Sequence, residues 1–182
     1  MQKNDSMKKI YIVVSQTGSI VSRIIRRVTG DKYTHASIAF EEDPASMYSF
    51  GRIYKNFPIW GGFVKESPSH GAMKKFRMAD IVVVQLSIPE EKYREVNEYI
   101  LEMYAQRKKY HYNYLGLFLA RHGIHFRRKM HFYCSEFVKD ILERFDIVDK
   151  GDFAKVVRPI ELLNIRGGKI IYQGKLCEFA GT

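Results

Sequence analysis

Cysteine is scarce in this chain. Cys134 and Cys177 are the two present among 182 residues, too few for a disulfide framework, which leaves a reduced, cytoplasmic protein as the expectation. Long apolar runs are missing too. The N-terminal segment MQKNDSMKKIYIVVSQ starts with basic residues, but its apolar run, Ile10 to Val14, stops at Ser15 and Gln16. A secretory signal needs a longer core and a small-residue cleavage site. Nothing approaches the roughly 18 apolar residues of a membrane span. Acidic residues are in deficit, twenty against thirty Lys and Arg, for a net charge of +10. The excess favours anionic partners, whether nucleic acid, lipid headgroups or acidic substrates, and says nothing about fold.

What is present suits one well-filled core. At 46% hydrophobic, residues 1–182 are expected to form a single domain. The β-branched run Ile10–Val14 reads as a buried strand. In SIVSRIIRRVTG, Ile20, Val21, Ile24, Ile25 and Val28 make a helical stripe that Gly30 can close. HASIAFEE (35–42) and MYSFGRIY (47–54) read as a hairpin turning at Asp43–Ser46. Residues 55–70, rich in Gly, Pro and aromatics, read as an irregular surface excursion. ADIVVVQLSI is a second buried strand. Ser87 and Glu90 resemble a capping box, with Pro89 in the first turn, for a helix striped by Tyr93, Val96, Ile100, Met103 and Tyr104. The Cys134 helix, a proline-led turn (PIELLN) and a last strand (KIIYQGKL) follow. The order β-α-ββ-β-α-α-β predicts an α+β fold with a mainly antiparallel sheet.

Cys134 opens a helix. Phe137, Val138, Ile141, Leu142 and Phe145 recur after it at helical spacing, so its side chain points inward. In the first turn it also meets unpaired backbone N–H groups and the positive end of the helix dipole, which stabilise a thiolate, and the same N–H groups can hold an oxyanion. The bland alternative is a small buried hydrophobe. A nucleophile needs a base, and His35 stands at the start of a strand whose same-face neighbours, Ser37 and Ala39, are small. A helix docked on that face would bring thiol and imidazole together.

Three segments together, Tyr33-Thr34-His35-Ala36-Ser37-Ile38-Ala39, Tyr112-Asn113-Tyr114-Leu115-Gly116-Leu117 and Phe132-Tyr133-Cys134-Ser135-Glu136-Phe137-Val138, resemble the circularly permuted NlpC-type papain-like cysteine hydrolases of the YiiX-like group. Val157-Arg158-Pro159-Ile160-Glu161-Leu162-Leu163 resembles the proline-led turn after the cysteine helix there. The resemblance spans roughly residues 10 to 165. It implies a papain-like permuted fold with the sheet packed against the nucleophile helix, a thiolate at Cys134, a base at His35, and an oxyanion-side tyrosine best matched by Tyr112. It also implies a third polar residue on the strand after the histidine strand, where Ser49 is the match. A plain hairpin sets His35 opposite Arg52 or Ile53 instead, so Ser49 requires a tighter turn or a bulge. Relatives cleave amides in cell-wall peptides or move acyl groups on lipids.

The expected function is a thiol-dependent hydrolase passing through an acyl-thioester, with no cofactor and no metal. Its substrates would be a small peptide, a cell-wall fragment or an acyl ester. Tyr114, Tyr133 and Trp60 are the candidate substrate-binding residues. Two other readings compete. His122, His125, His131 and Cys134 fall close together but match no closed zinc spacing. RKKYHYNY and HFRRKMHFY interleave cations with aromatics, which suits a basic protein bound to nucleic acid or a membrane surface with a degenerate site. No specific nucleic acid is predicted, and weak binding to anionic surfaces is. Cys177 reads as structural, and a Cys134–Cys177 bridge is conceivable under oxidising conditions.

Overall fold

Alternation along the strand-forming runs determines which residues share a face, and the sheet follows from it. The computed structural model describes residues 6–18, 26–27, 30–41, 43–53, 60–69 and 73–179. Strands β1 (Met7–Gln16), β2 (His35–Phe40), β3 (Asp43–Arg52), β4 (Gly61–Glu66), β5 (Asp80–Pro89), β6 (His111–Tyr112), β7 (His131–Phe132) and β8 (Lys169–Lys175) form one eight-stranded sheet. Its order is β7-β6-β4-β3-β2-β1-β5-β8. Every pairing is antiparallel except β6 with β7. Helices α1 (Glu90–Ala105), α2 (Tyr114–Ala120), α3 (Cys134–Arg144) and α4 (Leu176–Phe179) complete an α+β architecture. Among the described residues no helix is long and apolar enough to cross a membrane.

The central strand β1 sends Ile10, Ile12 and Val14 to the larger core. There they meet Ala36, Ile38 and Phe40 of β2, Val96, Ile100 and Met103 of α1, and Phe137, Val138, Ile141 and Leu142 of α3. Val13 faces the other way, into a smaller cluster with Ala39, Met47, Ile81, Val83 and Leu176. Helix α3 thus lies on the Ala36/Ile38 face, not on the small-residue face of His35, Ser37 and Ala39. The reason is area: its four large apolar side chains need a broad apolar surface, which Ile38, Phe50 and Phe63 supply.

Three further readings change. Residues 61–66 of the supposed excursion are strand β4, paired along its whole length with β3. Asp43–Ser46 is strand rather than turn, because Phe40 pairs with Asp43 and the register slips between Ala39 and Phe40. Ser87 stays in β5, opposite Lys9. Pro89 takes the cap position of α1, and the Glu90 N–H donates to the Ser6 carbonyl at 3.0 Å.

The α1 stripe, the α3 helix, the turn at Pro159–Asn164 and β8 form where expected. Most of the helix expected over residues 19–29 lies outside the described residues. Arg26 and Arg27 are helical, and the Gly30 N–H reaches the Arg26 carbonyl at 2.9 Å.

Phe137 ties the helix to the sheet, its ring centroid 5.4 Å from that of Phe50 and 5.2 Å from that of Phe63. It is 1% exposed. Phe137→Ala is expected to cost about 3–5 kcal/mol, measured as a lowered urea midpoint at unchanged slope.

Candidate active site

His35 is the first residue of β2, and its imidazole is 12% exposed. Its Nε2 lies 2.8 Å from Oε2 of Glu66, the last residue of β4. That carboxylate is buried too, and the same Oε2 accepts the Ser37 hydroxyl at 3.1 Å. Gly51 leaves room for the pair. A Cβ there would sit 3.1 Å from Glu66 Oε1 and 3.7 Å from His35 Cε1.

The thiol arrives from the other side. Cys134, first residue of α3 and 2% exposed, has its Sγ 4.0 Å from the carbonyl of Thr34, the residue before His35. The imidazole is hydrogen-bonded to Glu66 and stands near the thiol. Burial alone pushes His35 toward the neutral form. The Glu66 charge, with the nearby Cys134 and the hydrogen bond to Glu66, outweighs it and holds the imidazole well above its ordinary 6.5.

Tyr112 lies near the same thiol. Parallel pairing of β6 with β7 sets Tyr112 beside Phe132, and the Asn113 N–H donates to the Phe132 carbonyl at 3.0 Å. That pairing lays the tyrosine against the first turn of α3. Burial first, then the nearby Cys134 and Tyr114, hold the Tyr112 hydroxyl protonated far above its usual range. Gly61 lets β4 approach, since a Cβ there would lie 2.7 Å from both Tyr112 Cβ and the Tyr114 hydroxyl.

Ser49 is not the partner of His35. Its hydroxyl donates to the Ala36 carbonyl at 2.6 Å and is wholly buried. The bulge puts Ile38 opposite Tyr48, which by strand counting sets Ser49 across from Ser37 and gives the imidazole side to Gly51. Tyr114 is half-buried, its ring 4.6 Å from that of Tyr112, and it lies at the site. Trp60, 61% exposed, adjoins Gly61 at the rim. Tyr133 is 3% exposed, so it packs inside rather than lining an open wall.

Sequence reasoning missed Glu66, and with it the strand that carries it. It also missed the role of Glu136, a buried carboxylate in the first turn of α3. Its Oε2 accepts the Tyr133 N–H at 3.4 Å and its Oε1 lies 3.5 Å from His125 Nε2. Burial pushes this carboxyl up, against the pull of the Tyr133 N–H and Arg127. Glu three places after a helix-capping position was the available signal.

The histidines near Cys134 are otherwise engaged. His131 Nδ1 donates to the Lys129 carbonyl at 2.8 Å, and His125 faces Glu136. Among the described residues no group of three or more His, Cys, Asp or Glu is gathered to hold a metal ion. Both cysteines are free thiols, and Cys177 Sγ lies 3.7 Å from Met78 Sδ. No family model matches the chain, and no curated protein matches it. Thiol, imidazole and carboxylate in series meet the nucleophile, base and orienting-group pattern of covalent catalysis.

Because the folded His35 pKa is raised, the protonated ring stabilises the fold. That contribution is complete below the unfolded value of about 6.5 and is lost as pH climbs through the raised folded value. Glu66→Gln removes its main charge partner. The stability gap between wild type and Glu66→Gln, from urea titrations across a pH series, is therefore expected to be widest on the acid side and to shrink with rising pH. A gap that widens with pH would contradict this account.

Proposed function

We propose that this chain is a thiol-dependent hydrolase of the circularly permuted, NlpC-type papain-like kind, with Cys134 as nucleophile, His35 as base and Glu66 as the residue that orients the ring. One observation carries the reading: a largely buried imidazole lies 2.8 Å from a buried carboxylate, and a helix-start thiol lies 4.0 Å from the carbonyl of the residue just before that histidine. The chain order supports it as well. Histidine strand, carboxylate strand and cysteine helix follow one another, and the helix lies across a mainly antiparallel sheet.

The chemistry follows from the atoms present. Nε2 of His35 is committed to Glu66, which leaves Nδ1 for the thiol. The ring takes the Sγ proton, and its raised affinity for that proton favours an imidazolium beside a thiolate. The thiolate attacks the carbonyl carbon of an amide or ester. Negative charge gathers on the carbonyl oxygen, where the first-turn N–H of Cys134 and the Tyr112 hydroxyl donate to it. Collapse breaks the bond to the amine or alcohol, which leaves with the proton from His35. The acyl-thioester is then hydrolysed by water that gives its proton to the same ring. The substrate class is an acyl compound small enough to pass Trp60 and Tyr114: a short peptide, a cell-wall fragment or an acyl ester.

Two measurements test this. A p-nitrophenyl ester is expected to give a stoichiometric burst, with mass spectrometry finding the acyl group on Cys134. Cys134→Ala should abolish both, and a variant that kept full hydrolysis would end the proposal. Tyr112→Phe is expected to retain the burst site but lower the acylation rate by about 10²-fold, the usual loss on removing one oxyanion donor. An unchanged rate would remove Tyr112 from the mechanism.

A further inference from the structure

Between Glu102 and Glu136 the chain has no acidic residue and seven Lys and Arg. The same stretch contains α2, whose sequence YLGLFLA is almost wholly apolar, yet Gly116 is its one buried residue. Leu115 and Phe118, three apart and so on one helix face, are 49% and 63% exposed. The chain then turns back. The His122 and Ile124 N–H groups both donate to the Leu119 carbonyl, at 2.9 and 3.1 Å, and Ile124 is 51% exposed. Asn113 fastens the return by donating to the Phe126 carbonyl at 2.9 Å while accepting the Gly116 N–H at 3.0 Å. Arg121, Arg128 and Lys129, in the same segment of chain, are exposed as well. Among the described residues none of the three makes an ion pair.

We propose that this segment, residues 114–129, docks the protein on an anionic lipid bilayer. Leu115, Phe118 and Ile124 enter the boundary between headgroups and acyl chains, and Arg121, Arg128 and Lys129 meet the phosphates. An apolar tip ringed by cations matches the layering of such a membrane. Other occupants fit less well. Nucleic acid would use the cations and Phe118, but aliphatic Leu115 and Ile124 offer no face for a base to stack on. A second copy would bring like charges together around the contact. The inference goes beyond the thiol chemistry and does not depend on it. It does orient the molecule, because Tyr112 directly precedes the Asn113 that caps α2.

The test is co-sedimentation of the full chain with vesicles of phosphatidylcholine alone and of phosphatidylcholine with about one-third phosphatidylglycerol. Binding is expected to the anionic vesicles only and to weaken as salt rises. The pair Leu115→Ser with Phe118→Ser should lower partitioning at least about tenfold. Arg128→Glu with Lys129→Glu should lower it by more than about fivefold per position. All four side chains are exposed, so thermal melts should match wild type, and Phe118→Ser alone serves if the double variant melts early. Absence of binding to anionic vesicles would overturn the proposal. So would binding indifferent to the apolar substitutions, RNA binding that vesicles do not compete for, or self-association that Phe118→Ser abolishes without any vesicle binding.

Discussion

A histidine and a glutamate can be buried side by side only if each supplies what the other loses on leaving water. His35 and Glu66 meet that condition at 2.8 Å, from strands that flank β3 on either side. The arrangement is held from several directions. Ser37 occupies a further lone pair of the carboxylate, and Gly51 withholds the bulk that would push it away. The consequence is orientation: with Nε2 committed to the carboxylate, the ring has one nitrogen left, and the Cys134 thiol stands near the ring from another element. Relief of a desolvation cost thus fixes where the imidazole stands.

The sheet makes this compatible with a large apolar core by alternating between the two tasks. Phe50 faces the helix side, its ring tilted against those of Phe63, Phe132 and Phe137, and anchors α3. The next residue, Gly51, faces the carboxylate. On β2, Ala36 and Ile38 serve the core while His35 and Ser37 serve the polar cluster. Period-two alternation therefore separates packing from chemistry with no extra element. It explains why the thiol can come from a helix on one face and the carboxylate from a strand whose side chain serves the other.

Elements with a strong period of their own were legible in the sequence: the β1 run, the stripes of α1 and α3, and the β-branched run of β5. Inward placement of Cys134 followed directly from its spacing to Val138 and Ile141, and a strand-end His35 was readable as the candidate base. Glu66 was not, for a physical reason. GGFVKE has two glycines and two charges in six residues, so propensity argues against a strand, and β4 exists because β3 and β6 offer it backbone partners on both sides. Tertiary pairing overrides local preference there. The register slip after Ala39 was equally hidden, and it carries Ser49 only as far as Ser37, where its hydroxyl donates to the Ala36 carbonyl and not to the imidazole. The docking face of α3 was misjudged because small residues suggest room, whereas large apolar side chains seek area.

The remaining constraint lies at the short parallel pair β6–β7. Two residues a side are little sheet, yet they are reinforced by the His111 N–H to the Met130 carbonyl and the Asn113 N–H to the Phe132 carbonyl, each at 3.0 Å. These bonds pin both ends of the segment that carries α2, so its exposed apolar residues can exist without disturbing the core. Both pinned ends adjoin the site, through Tyr112 on one side and through Phe132, two residues before Cys134, on the other. The same backbone hydrogen bonds that close the α2 segment therefore also set the strand of Tyr112 beside the strand that leads into Cys134. On this reasoning the exposed segment and the buried thiol form one mechanical unit, joined by main chain rather than by side-chain packing.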